Sequence, residues 1–413
     1  MSGFFWPTSR REKMLTTVNK GGCARCGLFK HCRSPQMPPI GKGKRGILNI
    51  GEGPGEEEDR KNAQWQGKVG KALQRTFRKY GIDLFEDCKN INAVNCRPMD
   101  KNGNNRPPTD TEIGYCRKRI LQVINEMRPH LIILHGMSAV KSVIGEKWGG
   151  DIGALTKWRG YTIPDQQIDA WLCPVFHPSF VERSNKKKEV QTIYKQDLKR
   201  ALSQLAEQTH DRRIGDMSNV HKLETPAVAE KALKALIKRQ PALAAFDYET
   251  SGLKPYVKGH RIYCVSIATG PDECIVFPMF DEVRELFCKF LKTRRIAKGA
   301  QNMKFEEIWS REILGTEVRN WTWDSMLVAH GLDNRPGVCG LKFQLYVNYG
   351  IVGYDNEVKP FMKGKDQKDG NSFNKIDEFI KKRGIGPLLD YCGMDSLGTY
   401  NLIRLQQETL GYS

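Results

Sequence analysis

Short apolar runs alternate with amphipathic stretches along residues 47–206. "ILNI" is followed by a helical period around Lys71–Tyr80, and "NINAV" precedes a long helix over Asp110–Met127. That helix opens with an acid at its N-cap and ends before Pro129. "LIILHG" leads into a helix near Met137–Ile144, "AWLCPVF" ends at His177, and a last helix covers about Glu189–Ala206. The rhythm predicts a parallel sheet covered by helices. Residues 207–225 are polar and aperiodic and read as a linker. A second rhythm follows. It predicts a helix over Ala227–Arg239, then strands at Leu243–Tyr248, Arg261–Ala268 and Glu273–Phe277. Helices follow at Asp281–Lys292 and Asn302–Ile313, and the remainder is mostly helical. Residues 353–375, rich in Gly, Lys, Asp and Asn, predict a mobile loop, and no internal repeat is visible.

Length and charge narrow the picture. The chain has 413 residues, enough for two or three domains. Its net charge of +19 favours a polyanion partner, most economically nucleic acid, over a merely basic soluble protein. No apolar run approaches the roughly 20 residues of a membrane span, so no membrane partner is expected. "MSGFFWPTSRREKM" lacks the apolar core and cleavage site of a leader. A reducing cytoplasmic setting is therefore expected, and the twelve cysteines read as metal or cluster ligands before disulfides.

Two local features carry chemistry in the first half. The strand "ILNIG" runs into the glycine loop "EGPG", and four acids follow at once, Glu56 to Asp59. Glycine loops after strands usually cradle phosphate, which these acids would repel. Cys23 and Cys26 form a C-x-x-C, and Cys96 and Cys116 complete a set of four. Four thiolates suit zinc or an iron–sulfur cluster, and spacing does not choose between them. Cys32 is a competing third ligand that would make a compact zinc knuckle.

"GEGPGEEED", "NAVNCRP", "EIGYC", "LIILHG" and "HPSF", in this order, resemble the family 4 uracil-DNA glycosylases, over about Cys23 to Leu205. The resemblance implies a three-layer α/β/α domain over residues 23–206, after an N-terminal tail of residues 1–22. It implies a [4Fe–4S] cluster on Cys23, Cys26, Cys96 and Cys116, with Cys32 and Cys88 spare. The glycine loop, with Glu52 and Gly53, would then receive an extruded base rather than a phosphate. Asn92 would read uracil, because its amide offers a donor and an acceptor to O4 and N3–H. Cytosine would leave unpaired groups at roughly 1–3 kcal/mol each. Trp65 would stack on the base, and His177 would stabilise charge growing on uracil O2. Pro178 and Ser179 would press on the DNA backbone. Gly53 stands where the family more often has alanine, and "QWQG" replaces "PFVG". Glu52, Glu58 and Asp59 would either position water or hold the loop. The run "NKKKEV" at 185–190 reads as a solvated face or a phosphate contact.

In the second half, "LAAFDYETSGL" places Asp247 and Glu249 on one face of a strand, where buried acids require a cation. "YCGMDSLGTY" puts Tyr391 and Asp395 on one helix face, and "GAQNMKFEEIW" does the same for Asn302 and Glu306. These three motifs resemble the tyrosine-containing DEDD 3′–5′ proofreading exonucleases of family A DNA polymerases, over about Ala227 to Leu410. The resemblance implies a ribonuclease H-like α/β domain over residues 226–413. In it Asp247, Glu249, Glu306 and Asp395 hold two Mg2+ or Mn2+, and Tyr391 orients the attacking water. Glu306 departs from the family's aspartate by one methylene. Asp324 reads as an N-cap rather than a ligand.

Together these imply a DNA replication and repair enzyme of α/β class. It would excise or sense uracil and would trim single-stranded 3′ ends. It would be the front half or a separate subunit of a phage-type polymerase, with a polymerase or other replisome protein as partner, in the cytoplasm of a bacterium or an infected host. The alternatives are a first domain that only binds DNA or docks a polymerase, and a scaffold in which both sites are impaired. "GFFWP" near the start reads as a tail or a docking peptide.

Overall fold

The computed structural model describes residues 22–149, 151–184, 187–207, 214–364, 366 and 369–412. The tail that contains "GFFWP" and the start of "NKKKEV" lie outside the described residues. Two compact units are present, residues 1–212 with 346–350, and residues 213–345 with 351–413. Among the described residues, no helix is long and apolar enough to cross a membrane.

The first unit is built on β1 (Ile47–Gly51), β2 (Cys88–Asn92), β3 (Leu131–His135), β4 (Ile163–Asp165) and β5 (Ala170–Val175), in the order β2-β1-β3-β5-β4. All neighbours run parallel except β4, which pairs antiparallel with β5. β1, β3 and β5 are buried at every position, as strands covered by helices on both faces must be. Leu73 and Phe77 from one helix and Tyr194, Leu198 and Ala201 from another pack with Ile47, Leu131 and Trp171 into one core.

The Asp110–Met127 helix has the predicted bounds, but its N-cap is Thr109, one residue before the expected acid. Thr109 Oγ1 accepts from the Glu112 amide at 3.2 Å, and the Glu112 carboxylate accepts from the Thr109 amide at 2.8 Å. A hydroxyl on extended backbone reaches the third amide, which an acid already inside the helix cannot do. Arg106 then grips Glu112 with both terminal nitrogens, at 2.9 and 2.6 Å.

The second unit holds β6 (Val220–Lys222), β7 (Leu243–Thr250), β8 (Ile262–Gly270), β9 (Glu273–Pro278), β10 (Ala297–Ala300) and β11 (Trp321–Asp324), ordered β11-β10-β7-β8-β9-β6. β7, β8 and β9 are antiparallel, and β10 and β11 extend the other edge in parallel, which is the ribonuclease H-like arrangement. Alternation along β7 sorts its two faces. Phe246 and Tyr248 pack with Val283, Phe287 and Phe290 of the Asp281–Lys292 helix. Ala245 faces the other way, against Ile403 of the Gly386–Leu410 helix. Asp247 and Glu249 share the Ala245 face, beneath that long helix.

Two expectations are corrected. Residues 220–222, read as linker, form β6 and pair with β9, because Val220 fills the space above Gly393. A Cβ on Gly393 would lie 2.2 Å from Val220. The described part of 353–375 is tied down rather than loose. The Phe373 ring stacks on His260 at 4.1 Å, and the Asn374 amide donates to the Ser251 carbonyl.

Arg106 beside Glu112 holds its carboxyl below the usual range. The stability this adds is complete above the ordinary carboxylate value and is lost as pH falls through the lowered one. Glu112→Gln should cost about 1–2 kcal/mol in urea melts at pH 7. The gap to the unaltered chain should close as pH drops below 4.

Candidate functional site

The parallel strands of the first unit end at one edge, where ligands of open α/β sheets collect. β1 ends at Gly51, directly beside Asn92 at the end of β2. β3 ends at His135, and β5 leads into His177 two residues beyond Val175. Gly51 has no alternative there: an added Cβ would stand 2.3 Å from Asn92 Oδ1 and 3.1 Å from the Trp65 ring. Trp65, only 3% exposed, stacks on His177 with ring centroids 5.8 Å apart and meets His135 edge-on at 5.6 Å. Asn92, Trp65 and His177 are thus brought together as the sequence predicted.

Two of the acids that follow the glycine loop, Glu58 and Asp59, hold it in place. Glu58 accepts from the Gly55 amide at 2.7 Å and the Trp65 amide at 2.5 Å. Asp59 accepts from the Arg33 and Ser34 amides. This fixes Trp65 in its left-handed backbone, φ 57°, against Gly70, where a Cβ would fall 2.0 Å from the Trp65 carbonyl oxygen. Glu52 lies against Gly136 and Ser138, and burial pushes its carboxyl upward. Gly53 packs near Pro98, where a Cβ would come to 3.3 Å.

His177 Nδ1 accepts from the Ser179 amide at 3.2 Å, and the Ser179 hydroxyl is 2.7 Å away. Burial, with Arg183 nearby, lowers its pKa to about 4, so the ring is neutral at pH 7. With Nδ1 accepting, the proton is on Nε2. His135, to which the sequence assigned no role, is fully buried, and burial lowers it to about 3. Its tautomer follows from a chain of polar groups under the edge. Asn90 Nδ2 donates to the Leu84 carbonyl, and Asn49 Nδ2 donates to Asn90 Oδ1. Asn49 Oδ1 must then accept from His135 Nε2, at 3.1 Å. Asn49 and Asn90, polar residues in buried strands, were the available signal. Asn92 Nδ2, Trp65 Nε1 and His135 Nδ1 are buried without a partner.

Cys26, Cys32 and Cys116 pack around buried Cys96, Leu28 and Val94, and the exposed Cys23 stands within charge range of Cys26 and Cys116. The four predicted ligands gather, and Cys32 joins them beside Cys96. Cys88 lies apart in the sheet core. Burial pushes Cys96 up to about 12 and Cys116 to about 11, so these thiolates need cationic partners. The Gln36 amide already points at Cys96 Sγ, 3.2 Å away. Among the described residues no three of these sulfurs lie within 4.8 Å of one another. A single zinc ion would draw them closer, and a polynuclear iron–sulfur group fits the wider set.

In the second unit, Asp247, Glu249 and Cys392 place one ligand atom each within 4.8 Å of one another. Burial raises Asp247, Glu249 and Glu306 well above the carboxylate range. The Asp395 charge adds to this at Asp247, and the Asp247 charge adds to it at Glu249 and Glu306. Glu306 is 1% exposed, and its Oε2 has no partner. Tyr391 is buried one turn from Asp395. Asp324 caps the Ser325–Leu332 helix as expected and also accepts from the Asn302 and Met303 amides. Sequence reasoning missed two groups here. Lys342 Nζ pairs with Asp395 and donates to the Tyr354 hydroxyl at 2.8 Å, and Tyr354 donates to Asp395 at 2.6 Å.

The Uracil DNA glycosylase superfamily model matches residues 38–199. The Type-4 uracil-DNA glycosylase of Thermotoga maritima is 32% identical over 195 residues, 47% of this chain and 95% of that protein. That of Saccharolobus solfataricus is 33% identical over 159 residues, 38% of this chain and 71% of that protein. Among solved structures, the catalytic core of RRP6 from Trypanosoma brucei covers 46% of this chain at 15% identity and TM-score 0.32. This chain spans 48% of that neighbour's length. RNase D of Trypanosoma brucei covers 47% of this chain and 71% of its own, at 16% identity and TM-score 0.34. At those scores neither structure says what the second half does.

Both buried imidazoles should stay unprotonated far below the ordinary histidine value. Nitrogen-detected NMR should place the midpoints near 4 for His177 and near 3 for His135. Because the unfolded chain protonates first, stability should fall as pH drops from about 6.5 toward 4. His135→Gln should flatten part of that slope.

Proposed function

This chain belongs to the type-4 uracil-DNA glycosylase family through its first half, and we propose that it excises uracil from DNA and trims DNA 3′ ends with its second half. One observation carries the first activity: Asn92, with an unpaired donor, and neutral His177 meet at the strand-end edge across Trp65.

An extruded uracil enters that edge after leaving the stack. Asn92 Nδ2 donates to O4, and Asn92 Oδ1 accepts N3–H. Trp65 moves off His177 and stacks on the base. As the N-glycosidic bond lengthens, charge grows on O2, and the Nε2–H of His177 donates to it. A neutral ring suits a dry site, because it keeps this donor without burying a charge. Water adds to the sugar carbon and leaves an abasic site. Cys23, Cys26, Cys96 and Cys116 would hold the [4Fe–4S] group, which would tie the N-terminal segment to the sheet.

Asp247, Glu249, Glu306 and Asp395 would hold two Mg2+ or Mn2+, which when bound supply charge for water activation and for the departing 3′ oxygen. Tyr391 positions the water from the helix face that carries Asp395. The +19 charge draws the strand in. A second reading, uracil sensing without cleavage, is favoured by Trp65 resting against His177, where the leaving base needs the imidazole. We place the chain beside a family A-type phage polymerase in replication, with proofreading as the role of the exonuclease. The support is that the two domains share one chain.

A uracil-containing oligonucleotide should become alkali-labile, and His177→Ala should slow this by about 10²–10³-fold. Stable binding without cleavage would leave the sensing reading standing. Separately, a 3′-labelled single strand should be digested with Mg2+, and Asp247→Ala should abolish digestion. Iron and acid-labile sulfide should copurify with the chain and be lost in Cys116→Ala.

A further inference from the structure

The floor of the carboxylate site is made of sulfur and hydroxyl. In the β7/β8 register Asp247 stands opposite Ser266, and Glu249 opposite Cys264. From the helix above, Cys392 points down into this pair of strands. Its Sγ is 3.3 Å from Ser266 Oγ and 4.0 Å from Asp247 Oδ2. Cys392 is fully buried, so no solvent competes for it. Glu306 Oε2, buried and unpartnered beside Asp247, is a second group without an answering charge. We propose that Asp247, Glu249 and Cys392 form a site for a thiophilic divalent cation of the Zn2+ class, which holds the site closed to Mg2+. The inhibitory effect rests on the nuclease reading, whereas the binding does not.

The chemistry separates two kinds of ion. Mg2+ takes hard oxygens and keeps its waters, so it uses the carboxylates and leaves the thiol alone. A softer ion gains from sulfur. When it binds, Cys392 loses its S–H proton to solvent and forms one metal–sulfur bond, with no change of oxidation state. Metal–sulfur and metal–oxygen bonds of about 2.3 and 2.1 Å bring sulfur and oxygen to roughly 3.5 Å apart. The present 4.0 Å separation therefore needs to close by only a fraction of an ångström. An ion held this way sits low on the sheet, with its coordination taken up by protein, rather than at the mouth where a phosphate must bridge.

Cadmium NMR on the full chain tests the binding. The cysteine cluster of the first half, filled with iron and sulfide, leaves no thiolate free for Cd2+. Cd2+ in the second unit should give a resonance in the range of one sulfur with oxygens. That resonance should vanish in Cys392→Ala and survive in Cys264→Ala. Circular dichroism and the thermal melt of the full chain report whether each variant is folded. If that resonance is absent, persists in folded Cys392→Ala, or depends on Cys264 instead, the assignment is overturned. The effect is read by Zn2+ inhibition of Mg2+-supported digestion. The half-inhibiting Zn2+ concentration should be at least about ten-fold lower for the unaltered chain than for Cys392→Ala. Equal inhibition of the two overturns the closing role. If the unaltered chain digests nothing with Mg2+, the nuclease reading fails while the cadmium result still decides the site.

Discussion

A carboxylate out of water must find a positive partner or keep its proton, and the second unit is organised around that constraint. Asp247 and Glu249 lie beneath the helix that carries Asp395; the Asp395 charge resists the ionisation of both, and the Asp247 charge resists that of Glu249 and Glu306. Lys342 pairs with Asp395, with Tyr354 as the adjoining donor, and its charge eases the ionisation of Asp247 and Glu249. One ammonium cannot balance four acids, so the arrangement has a standing demand for cations. β7 and the long helix above it bring Asp247, Glu249 and Cys392 within 4.8 Å of one another.

The first unit meets the same cost in the opposite way. Two imidazoles stay neutral, one tautomer being set by the Ser179 amide and the other by the chain from Leu84 through Asn90 and Asn49. A site that must steady charge appearing only during bond breaking is better served by aimed dipoles than by resident ions. The two halves therefore divide electrostatic labour: aimed dipoles in one, clustered acids that call for cations in the other.

Much of this was legible in the sequence where periodicity was long or motifs were dense. The Asp110–Met127 and Asp281–Lys292 helices have the expected bounds, and Asp324 is the cap it was read to be. What escaped was short or made by the partner. β6, β10 and β11 have three or four residues each, too few to show a period, and exist because a longer strand offers them a ladder. Lys342 lies 53 residues from Asp395 in sequence, so its charge is indistinguishable from any surface lysine until the chain folds. Cys392 is a lone cysteine in the sequence, and only the fold brings its sulfur beside Asp247.

Glu58 gives the first site a mechanical character. One carboxylate clamps the amides of Gly55 and Trp65, so the glycine loop and the tryptophan form a single rigid piece. The Trp65 backbone, pinned against Gly70, cannot shift without dragging the loop with it. Backbone displacement at this edge is then a collective event: loop and ring shift together or not at all, so the position of the indole reports the state of the whole loop.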